Sequence, residues 1–213
     1  MKKIHLTLIA LFAITGFLIA QTPTRQWVNF KIDSTTDFFS LSAMAVDANG
    51  NSYLTGYEID EGDEYYQTHL ILLKVNAAGK FQWKRKFDNL KDSIDEAIDI
   101  ATDSAGYIYV TGRRIDTFCN ICTYNTKISD IITMKYDGKG NRIWLNRYHD
   151  SAYILASPSD IALSRDGQIL ITGSESHYDS RTGTYVSKLL MQKINTDGET
   201  MWIRKMKKVV GNS

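Results

Sequence analysis

The sequence contains few of the residues that mark flexible linkers, metal-binding modules or nucleic-acid-binding proteins. Its 213 residues include two prolines and two cysteines, and 25 basic residues nearly balance 24 acidic ones. The scarcity of proline and the lack of low-complexity tracts argue against a linker between domains. A net charge close to zero gives no electrostatic reason to expect nucleic acid or an anionic membrane as a partner. We therefore predict one continuous domain with enough apolar residues to form a packed core.

Long apolar runs are also absent, with one exception at the start of the chain. A short basic opening precedes an apolar run from Leu6 to Ala20, and Ala20 followed by Gln21 fits a signal-peptidase site. The run is short for a membrane span, and it ends in small residues. We predict that residues 1–20 are a signal peptide and that residues 21–213 are exported to the periplasm, the cell surface or the medium. No transmembrane segment is then expected in the exported chain.

What the chain does contain is a repeat. An apolar run leads to a lysine, an asparagine or aspartate stands two residues later, a glycine follows, and a tryptophan lies four residues after the glycine. The three copies are Lys74, Asn76, Gly79 and Trp83; Lys135, Asp137, Gly140 and Trp144; and Lys193, Asn195, Gly198 and Trp202. The remaining tryptophan, Trp27, marks a lone segment at residues 26–32. Every tryptophan therefore marks one repeat, which indicates an array of similar supersecondary units.

Each copy is preceded by a second repeated half. A run of small and apolar residues leads to a glycine turn, and a β-branched or aromatic run then ends in Thr55-Gly56, Thr111-Gly112 or Thr172-Gly173. These lengths predict four antiparallel strands per unit, at about 41–47, 51–57, 69–76 and 80–87 in the first. The repeats span about 41–87, 97–148 and 158–207. We predict an all-β fold, a β-propeller with three complete four-stranded blades and one N-terminal strand at 26–32.

The combined pattern resembles a known family. A-x-D-x-x-G-x-x-Y-x-T-G followed by K-x-[ND]-x-x-G-x-x-x-W is similar to the SBBP repeats, a β-propeller repeat family of secreted bacterial proteins common in Bacteroidetes. The resemblance covers Trp27 to Lys207. It departs from the family at Leu163-Ser164, where the third unit lacks the aspartate, and in a cysteine-bearing insertion in the second unit. The resemblance implies a propeller fold and export, and it implies no particular activity.

The number of repeats falls short of a closed ring. Propellers typically have at least four blades, and only three complete units are present. We favour a chain that is the N-terminal part of a longer propeller over three-blade chains that assemble with each other. The expected partners therefore include further blades or a second copy of the chain.

The tryptophans and the small residues of the first strands are interpreted as packing residues. A tryptophan on the outer strand of one unit can bury a large apolar face against the next unit, so all four are assigned to core packing rather than to ligand stacking. Three alanines, Ala45, Ala101 and Ala162, stand on the first strands. Their size fits the innermost position, where the sheets of a propeller converge.

The connections between strands divide into a tight class and a long class. The first-to-second and third-to-fourth connections are short glycine turns. The long class comprises the second-to-third connections at 57–69, 113–130 and 174–187 and the links between units at 88–96 and 149–158. In a propeller these emerge on one face, and variable loops on a regular scaffold are where binding usually resides. We predict that a protein or glycan partner binds on that face.

One loop of that face carries candidate metal ligands. Glu58, Asp60, Glu61, Asp63 and Glu64 crowd together in the first long connection. Their carboxylates are candidate ligands for Ca²⁺. The loop lacks the spacing of a calcium-binding loop, so a solvated acidic loop without a bound ion is favoured.

The same face carries both cysteines of the chain and two of its histidines. Cys119 and Cys122, the only cysteines, are expected to form a small disulfide in an exported protein, ahead of a metal or redox role. His149 and His177 have no serine or cysteine in a nucleophile motif beside them. No catalytic triad is predicted from them.

Two classes of function remain open. The first, which we favour, is a non-enzymatic binding or surface-scaffold module without a cofactor. The second is a fragment of a quinoprotein enzyme, because the G-x-x-x-W repeats are similar to the tryptophan-docking motifs of dehydrogenases that carry pyrroloquinoline quinone (PQQ). Against the enzyme, the sequence has no adjacent cysteine pair and no haem-attachment motif, since Thr123 follows Cys122. A docking motif is also a packing device, which says little about a cofactor.

Overall fold

Runs of β-branched, aromatic and leucine residues form the strands of the protein. The computed structural model describes residues 38–59, 68–87, 93–116, 128–150 and 155–207, and these residues contain twelve strands and no helix. The prediction of an all-β fold is confirmed. Within these ranges, no helix is long and apolar enough to cross a membrane.

The strands pair in three antiparallel units of four. They are β1 (Phe38–Val46), β2 (Ser52–Ile59), β3 (Thr68–Val75), β4 (Phe81–Phe87), β5 (Ser93–Thr102), β6 (Ile108–Asp116), β7 (Ile128–Tyr136), β8 (Arg142–Tyr148), β9 (Leu155–Leu163), β10 (Ile169–Asp179), β11 (Thr184–Ile194) and β12 (Thr200–Lys207). Each strand pairs with the next within its unit: unit 1 comprises β1 to β4, unit 2 comprises β5 to β8, and unit 3 comprises β9 to β12.

One parallel residue pair connects each unit with the next. Thr68 of β3 pairs with Ile94 of β5, and Ser129 of β7 pairs with Leu155 of β9. If both parallel pairs are taken as sheet contacts, the twelve strands form one continuous sheet. If only one pair is taken as a sheet contact, the strands form one sheet of four and one of eight. The first strands also touch each other, β1 with β5 and β5 with β9. The described strands form no closed sheet, so the propeller ring stays a prediction.

The first strand of each unit begins before the predicted repeat boundary. The three strands begin at Phe38, Ser93 and Leu155 rather than near residues 41, 97 and 158. Each of them carries a register shift against its second strand. Such a bulge interrupts the alternation of inward and outward side chains. The sequence pattern therefore hides the strand residues that precede the bulge.

The same bulge explains the glycine of each Thr-Gly pair. A Cβ on Gly56 would lie 1.9 Å from the carbonyl oxygen of Ser40 in the bulged strand. The corresponding distances are 2.3 Å from Gly112 to Glu96 and 2.4 Å from Gly173 to Ser157. Only glycine allows the two backbones to approach this closely.

The apolar core lies between units. One cluster joins Leu70, Leu72 and Phe87 of unit 1 to Ile132 and Met134 of unit 2. A second cluster joins unit 2 to unit 3 and includes Tyr109, Ile131, Ile161, Ile171 and Leu190. The small residues of the first strands are not equally buried. Ala45 and Ala101 are half-buried against these clusters, whereas Ala162 is exposed.

One predicted loop is in fact a hairpin. The sequence predicts a long connection at 174–187, but β10 continues to Asp179 and β11 begins at Thr184. The rings of Tyr178 and Tyr185 meet edge to face across the hairpin, with centroids 5.4 Å apart. The prediction is wrong because the polar residues of this segment suggest a loop, whereas the strand pairing and the tyrosine pair hold it in register.

Several predicted features lie outside the described residues. They are the signal peptide at 1–20, the lone strand at 26–32 with Trp27, the acidic residues Asp60, Glu61, Asp63 and Glu64, and the cysteines Cys119 and Cys122.

Candidate functional site

The alternation of strand direction puts the two kinds of connection at opposite ends of each unit. The tight turns after the first and third strands lie at one end, called here the turn end. The connections after the second strands and the links between units lie at the other, called here the loop end. The described side chains of the loop end form the base on which those connections stand. This end is therefore the candidate functional site.

A buried carboxylate stands at the loop end of every unit and meets a cation of the fourth strand. The carboxylates are Glu58, Asp130 and Glu175, and none of their side chains is more than 4% exposed. The cations are Lys86, Arg147 and Lys205. A buried carboxylate is costly unless it is paired, and breaking such a pair costs more than the pair is worth. These pairs therefore hold the loop end in one arrangement.

In unit 1, the carboxylate belongs to a strand and not to a solvated loop. Glu58 lies in β2, where Lys84 forms an ion pair with its Oε2 and Lys86 Nζ lies 3.6 Å from its Oε1. Both oxygens are engaged by β4. The prediction that Glu58 stands in a loop is therefore wrong, because the residue lies in β2; a Ca²⁺ site at this acidic segment stays a prediction. Across the described residues, no group of three or more His, Cys, Asp or Glu side chains is placed to hold a metal ion.

In unit 2, the charges exchange strands. Arg114 of β6 occupies the position that Glu58 has in β2, and the carboxylate comes instead from Asp130 of β7, which is its register partner. Asp130 forms an ion pair with Arg147, and its Oδ1 lies 2.6 Å from Nδ1 of His149. No described serine, threonine or cysteine is hydrogen-bonded to this histidine, so the Asp–His pair has no nucleophile in the described part of the chain.

In unit 3, the residues of the ion pair also contact unit 2. Glu175 of β10 accepts a 2.5 Å hydrogen bond from the hydroxyl of Tyr148 in β8. Its other oxygen lies 3.0 Å from Lys205 Nζ, which also pairs with Asp150. Burial first, and then the hydrogen bond to Glu175, raise the pKa of Tyr148 to about 12. Burial alone would lower the pKa of Lys205, but its contacts with Asp150, Tyr148 and Glu175 raise it. Both groups therefore stay protonated near neutral pH.

The two histidines of the sequence prediction lie on different elements. His149 follows β8 and contacts Asp130, whereas His177 lies within β10, in the hairpin that replaces the predicted loop. The structure therefore places one histidine at the base of a unit link and the other on a strand.

At the turn end, carboxylates of the first turn meet tyrosines of the second strand. Asp47 accepts hydrogen bonds from the backbone N–H groups of Asn49 and Asn51, both at 2.9 Å, and from the hydroxyl of Tyr53 at 3.1 Å. Burial alone would raise the pKa of Asp47, but these hydrogen bonds lower it. The carboxylate already has its donors, so it acts as a turn residue rather than as a ligand.

The turn of unit 2 repeats this contact and the turn of unit 3 replaces it. Tyr109 donates to Asp103 at 2.9 Å. In unit 3, Ser164 and Leu170 occupy the two positions, and Ser164 Oγ accepts from the backbone N–H of Gln168 at 3.0 Å. Carboxylate and hydroxyl are thus present together or absent together.

The repeat tryptophan of one unit packs on the glycine turn of the next unit. A Cβ on Gly198 would lie 2.7 Å from Cδ2 of Trp144, and a Cβ on Gly140 would lie 3.2 Å from Cη2 of Trp83. Trp144 also donates from Nε1 to the carbonyl of Thr196 at 3.0 Å. These tryptophans therefore serve contacts between units.

The remaining members of the series are the turn glycine of unit 1 and the tryptophan of unit 3. Gly79 forms the corresponding turn of unit 1, with φ at 75°. Trp202 of the last unit meets Arg204, whose guanidinium lies 5.6 Å from the ring centre.

A carboxyl pair lies where the first strands of units 2 and 3 meet. Asp99 of β5 interacts with Asp160 of β9, and its Oδ2 accepts a hydrogen bond from the backbone N–H of Ile161 at 2.9 Å. Burial is the largest cause that raises the pKa of Asp99. The hydrogen bond and charge of Asp160 raise it too, against the lowering effect of backbone N–H groups. Ala43 takes this position in unit 1, so the pair occurs at one interface.

The sequence interpretation missed the charged layer at the loop end, although a signal for it is present. A lysine or arginine stands three residues after the tryptophan of each four-stranded unit: Lys86, Arg147 and Lys205. The carboxylate partners could not be found the same way, because they change strand in unit 2.

Comparisons with known proteins assign the chain to no family. No protein-family model matches the chain, and no curated protein matches it. The resemblance to the SBBP repeats therefore stays a prediction.

Proposed function

We propose that the protein is an exported, non-enzymatic binding or surface-scaffold module that holds a protein or glycan partner at its loop end. The contrast between the two ends carries the proposal. The turn end repeats one kind of short glycine turn, whereas the segments between second and third strands, 60–67, 117–127 and 180–183, differ in length. Variable connections on a regular scaffold are the usual place of recognition.

The ion pairs of the loop end support a binding role over a catalytic one. The carboxylates Glu58, Asp130 and Glu175 are buried and paired with cations of their own unit. Groups committed in this way fix the bases of the loops, and a fixed base lowers the entropy lost when a loop binds a partner. Export of this module is checked by N-terminal sequencing of the secreted protein, which should begin at Gln21.

The test compares the two ends directly. The purified exported chain is screened on a glycan array, and hits are measured by calorimetry. In a loop-end variant, residues 60–67 and 117–127 are replaced by glycine–serine segments of the same lengths. In the matched turn-end variant, Asn49, Ala78 and Lys139 are changed to serine. We expect the loop-end variant to lose at least about tenfold in affinity and the turn-end variant to keep it. If the turn-end variant loses affinity and the loop-end variant keeps it, the partner binds at the turn end and the proposal is wrong.

We also propose that the three units are part of a β-propeller and that the outward face of unit 3 is covered by a further unit or by a second copy of the chain. Leu189 and Met191 of β11 are 56% and 36% exposed there. The same repeat positions in β3, Leu70 and Leu72, are fully buried against unit 2. An apolar sheet face of this kind favours association.

Self-association is the measurable consequence. Light scattering should find the exported chain larger than a monomer, and Leu189→Glu should make it monomeric. Met44→Glu is the control, because Met44 is also an exposed apolar residue but lies on β1. A wild-type chain that stays a cooperatively melting monomer would contradict the proposal.

The quinoprotein alternative is separated by one titration. Trp–Gly packing between units accounts for the G-x-x-x-W repeat without any cofactor, so this motif gives the enzyme no support. Adding PQQ and Ca²⁺ should leave the absorbance spectrum as the sum of its parts. A tight, stoichiometric change in the quinone spectrum would favour the enzyme instead.

A further inference from the structure

A basic groove lies between the outer strands of units 1 and 2. Its volume is about 290 Å³, and its lining residues are Arg85, Lys86, Phe87, Tyr136, Gly140 and Arg142. Three of the six are cations and none is acidic. The groove runs from the end of β4 to the turn before β8. Lys86 also belongs to the ion pairs of the loop end, whereas Gly140 and Arg142 lie towards the turn end, away from the variable connections.

The three cations of the groove differ in how many contacts they make with acceptors of the protein itself. Arg85 donates to the carbonyl oxygens of Lys139 at 2.8 Å and Gly140 at 3.2 Å. Lys86 lies 3.6 Å from the buried carboxylate of Glu58, which offsets part of its charge. These two residues therefore hold the groove in shape and contribute a reduced positive potential.

Arg142 is the cation with donors to spare. Its guanidinium lies 5.0 Å from the ring centre of Phe87 and makes no hydrogen bond to another described residue. A guanidinium has five N–H donors in a planar fork that matches the oxygens of a carboxylate, sulfate or phosphate. Stacking on Phe87 restrains that fork before any ligand arrives. The groove thus has a restrained, unsaturated oxyanion receptor.

The interface between units 2 and 3 provides an internal comparison. Asn146 takes the position of Arg85 there, and Thr200 takes the position of Arg142. The two bond to each other at 3.1 Å, and Gln192 donates to both, at 2.9 and 2.8 Å. Neutral side chains thus satisfy each other at one interface, while arginines stand at the same positions of the other. The positive charge is therefore a local feature and not a requirement of stacking the units.

We propose that this groove binds the oxyanion group of an acidic saccharide, with Arg142 as the main contact. The volume exceeds that of a bare oxyanion and lies near the lower limit of small-molecule sites, which fits one sugar ring carrying a carboxylate or sulfate. Phe87 and Tyr136 give the groove an apolar floor, since both are nearly buried aromatic residues. This site is additional to the loop-end site of the proposed function and stands or falls independently of it.

The experiment titrates the full exported chain by calorimetry at low salt. The ligands are a uronic-acid oligosaccharide, a sulfated oligosaccharide, a neutral oligosaccharide of the same length, and inorganic sulfate and phosphate. We expect at least one acidic oligosaccharide to bind, the neutral one not to bind, and the affinity to fall as salt is added. Because arginine stays charged, the affinity should not change between about pH 6 and pH 9.

Matched variants locate the site. Arg142→Gln should weaken binding about tenfold, and Arg142→Lys should restore only part of the loss, because a lysine lacks the planar fork. Arg165→Gln removes the same charge from an exposed turn of unit 3 at the turn end and should change the affinity less than about twofold. All three melts should match the wild type, since both arginines are exposed.

Three outcomes would overturn the proposal. If Arg142→Gln and Arg165→Gln weaken binding equally, the attraction is general and the groove is not the site. If no acidic oligosaccharide binds up to about 10 mM, the groove is not a receptor of useful affinity. If inorganic sulfate or phosphate binds as tightly as the oligosaccharides, the groove recognises a free oxyanion and the saccharide assignment is wrong.

Discussion

The outward faces of unit 2 and unit 3 present the same repeat positions in opposite environments. On β7, Ile131 and Thr133 are 1% exposed beneath unit 3. On β11, Leu189 and Met191 hold those positions and are 56% and 36% exposed. The strands, turns and tryptophans around them are alike, so the difference comes from what lies on top.

The comparison teaches that this protein builds its core by stacking. A single unit buries one face of its middle strands and leaves the other for its neighbour, as in other repeat arrays. At the same position of the repeat, a residue that the next unit buries should therefore contribute more to stability than one that is exposed, whichever residue type it is. Four pairs of variants test this, from the largest expected effect to the smallest.

The tryptophan pair should show the largest difference. Trp144→Ala removes a side chain packed against the Gly198 turn, and it should lower the free energy of unfolding by about 3–5 kcal/mol. Trp202→Ala removes the equivalent side chain where no described unit follows, and about 1 kcal/mol or less is expected. Denaturant melts measure both. Equal losses would mean that tryptophan stabilises its own unit and that stacking contributes little.

The aliphatic pair isolates coverage without an indole. Leu72→Ala empties a fully buried position of β3 and should cost about 2–4 kcal/mol. Met191→Ala changes the equivalent position of β11, which is partly exposed, and should cost under about 1 kcal/mol. The same melts serve. If Met191→Ala lowers the free energy of unfolding by as much as Leu72→Ala in a protein shown to be monomeric, stacking of the units does not explain the stability.

The glycine pair sharpens the comparison at the turns. Gly198 and Gly106 both have positive φ, at 90° and 84°. In Gly106→Ala the added Cβ meets no atom within 4 Å. Only the strain of the left-handed backbone then lowers the free energy of unfolding, by about 1–2 kcal/mol. Gly198→Ala adds a clash with Trp144, and overpacking raises the loss by about 1–3 kcal/mol more. Thermal melts that show no difference would exclude close tryptophan packing on this turn.

The carboxyl pair should give the smallest effect and one that depends on pH. The raised pKa of Asp99 means that its folded state holds the proton more tightly, so its stabilisation is complete below the ordinary aspartate pKa and is lost as pH rises through the raised value. Asp99→Asn removes that dependence and should be slightly more stable than the wild type near neutral pH. Asp103→Asn, at the turn end, is the control. A wild type and an Asp99→Asn variant with parallel stability-against-pH curves would contradict the pairing.

The repeat determines which parts of this fold were predictable. Four strands per unit follow from run lengths and glycine turns, because both are local properties of the sequence. The early start of each first strand was missed, since a bulge breaks the alternation there. The hairpin at 174–187 was missed as well, because cross-strand tyrosines outweigh the loop-like composition of that segment.

The candidate site was less predictable than the fold. Each charge pair joins residues on different strands, and strand register decides whether they meet. In unit 1 the pair involves Glu58 and Lys86, and in unit 2 the carboxylate moves to Asp130 on another strand. A periodic sequence pattern shows the cations after each tryptophan but not a partner that changes strand. The basic groove was hidden for the same reason, since it combines residues of two units.

The exchange of Asp–Tyr for Ser–Leu in unit 3 constrains how the repeats can diverge. If the units descend from one duplicated ancestor, a change of Tyr53 or Tyr109 alone would leave the carboxylate of Asp47 or Asp103 with one donor fewer. A change of the aspartate alone would leave a buried hydroxyl without its acceptor. Each single step is disfavoured and the double step is tolerated, so the two positions should show strong epistasis. Unit 3 holds one end of that path, and units 1 and 2 hold the other.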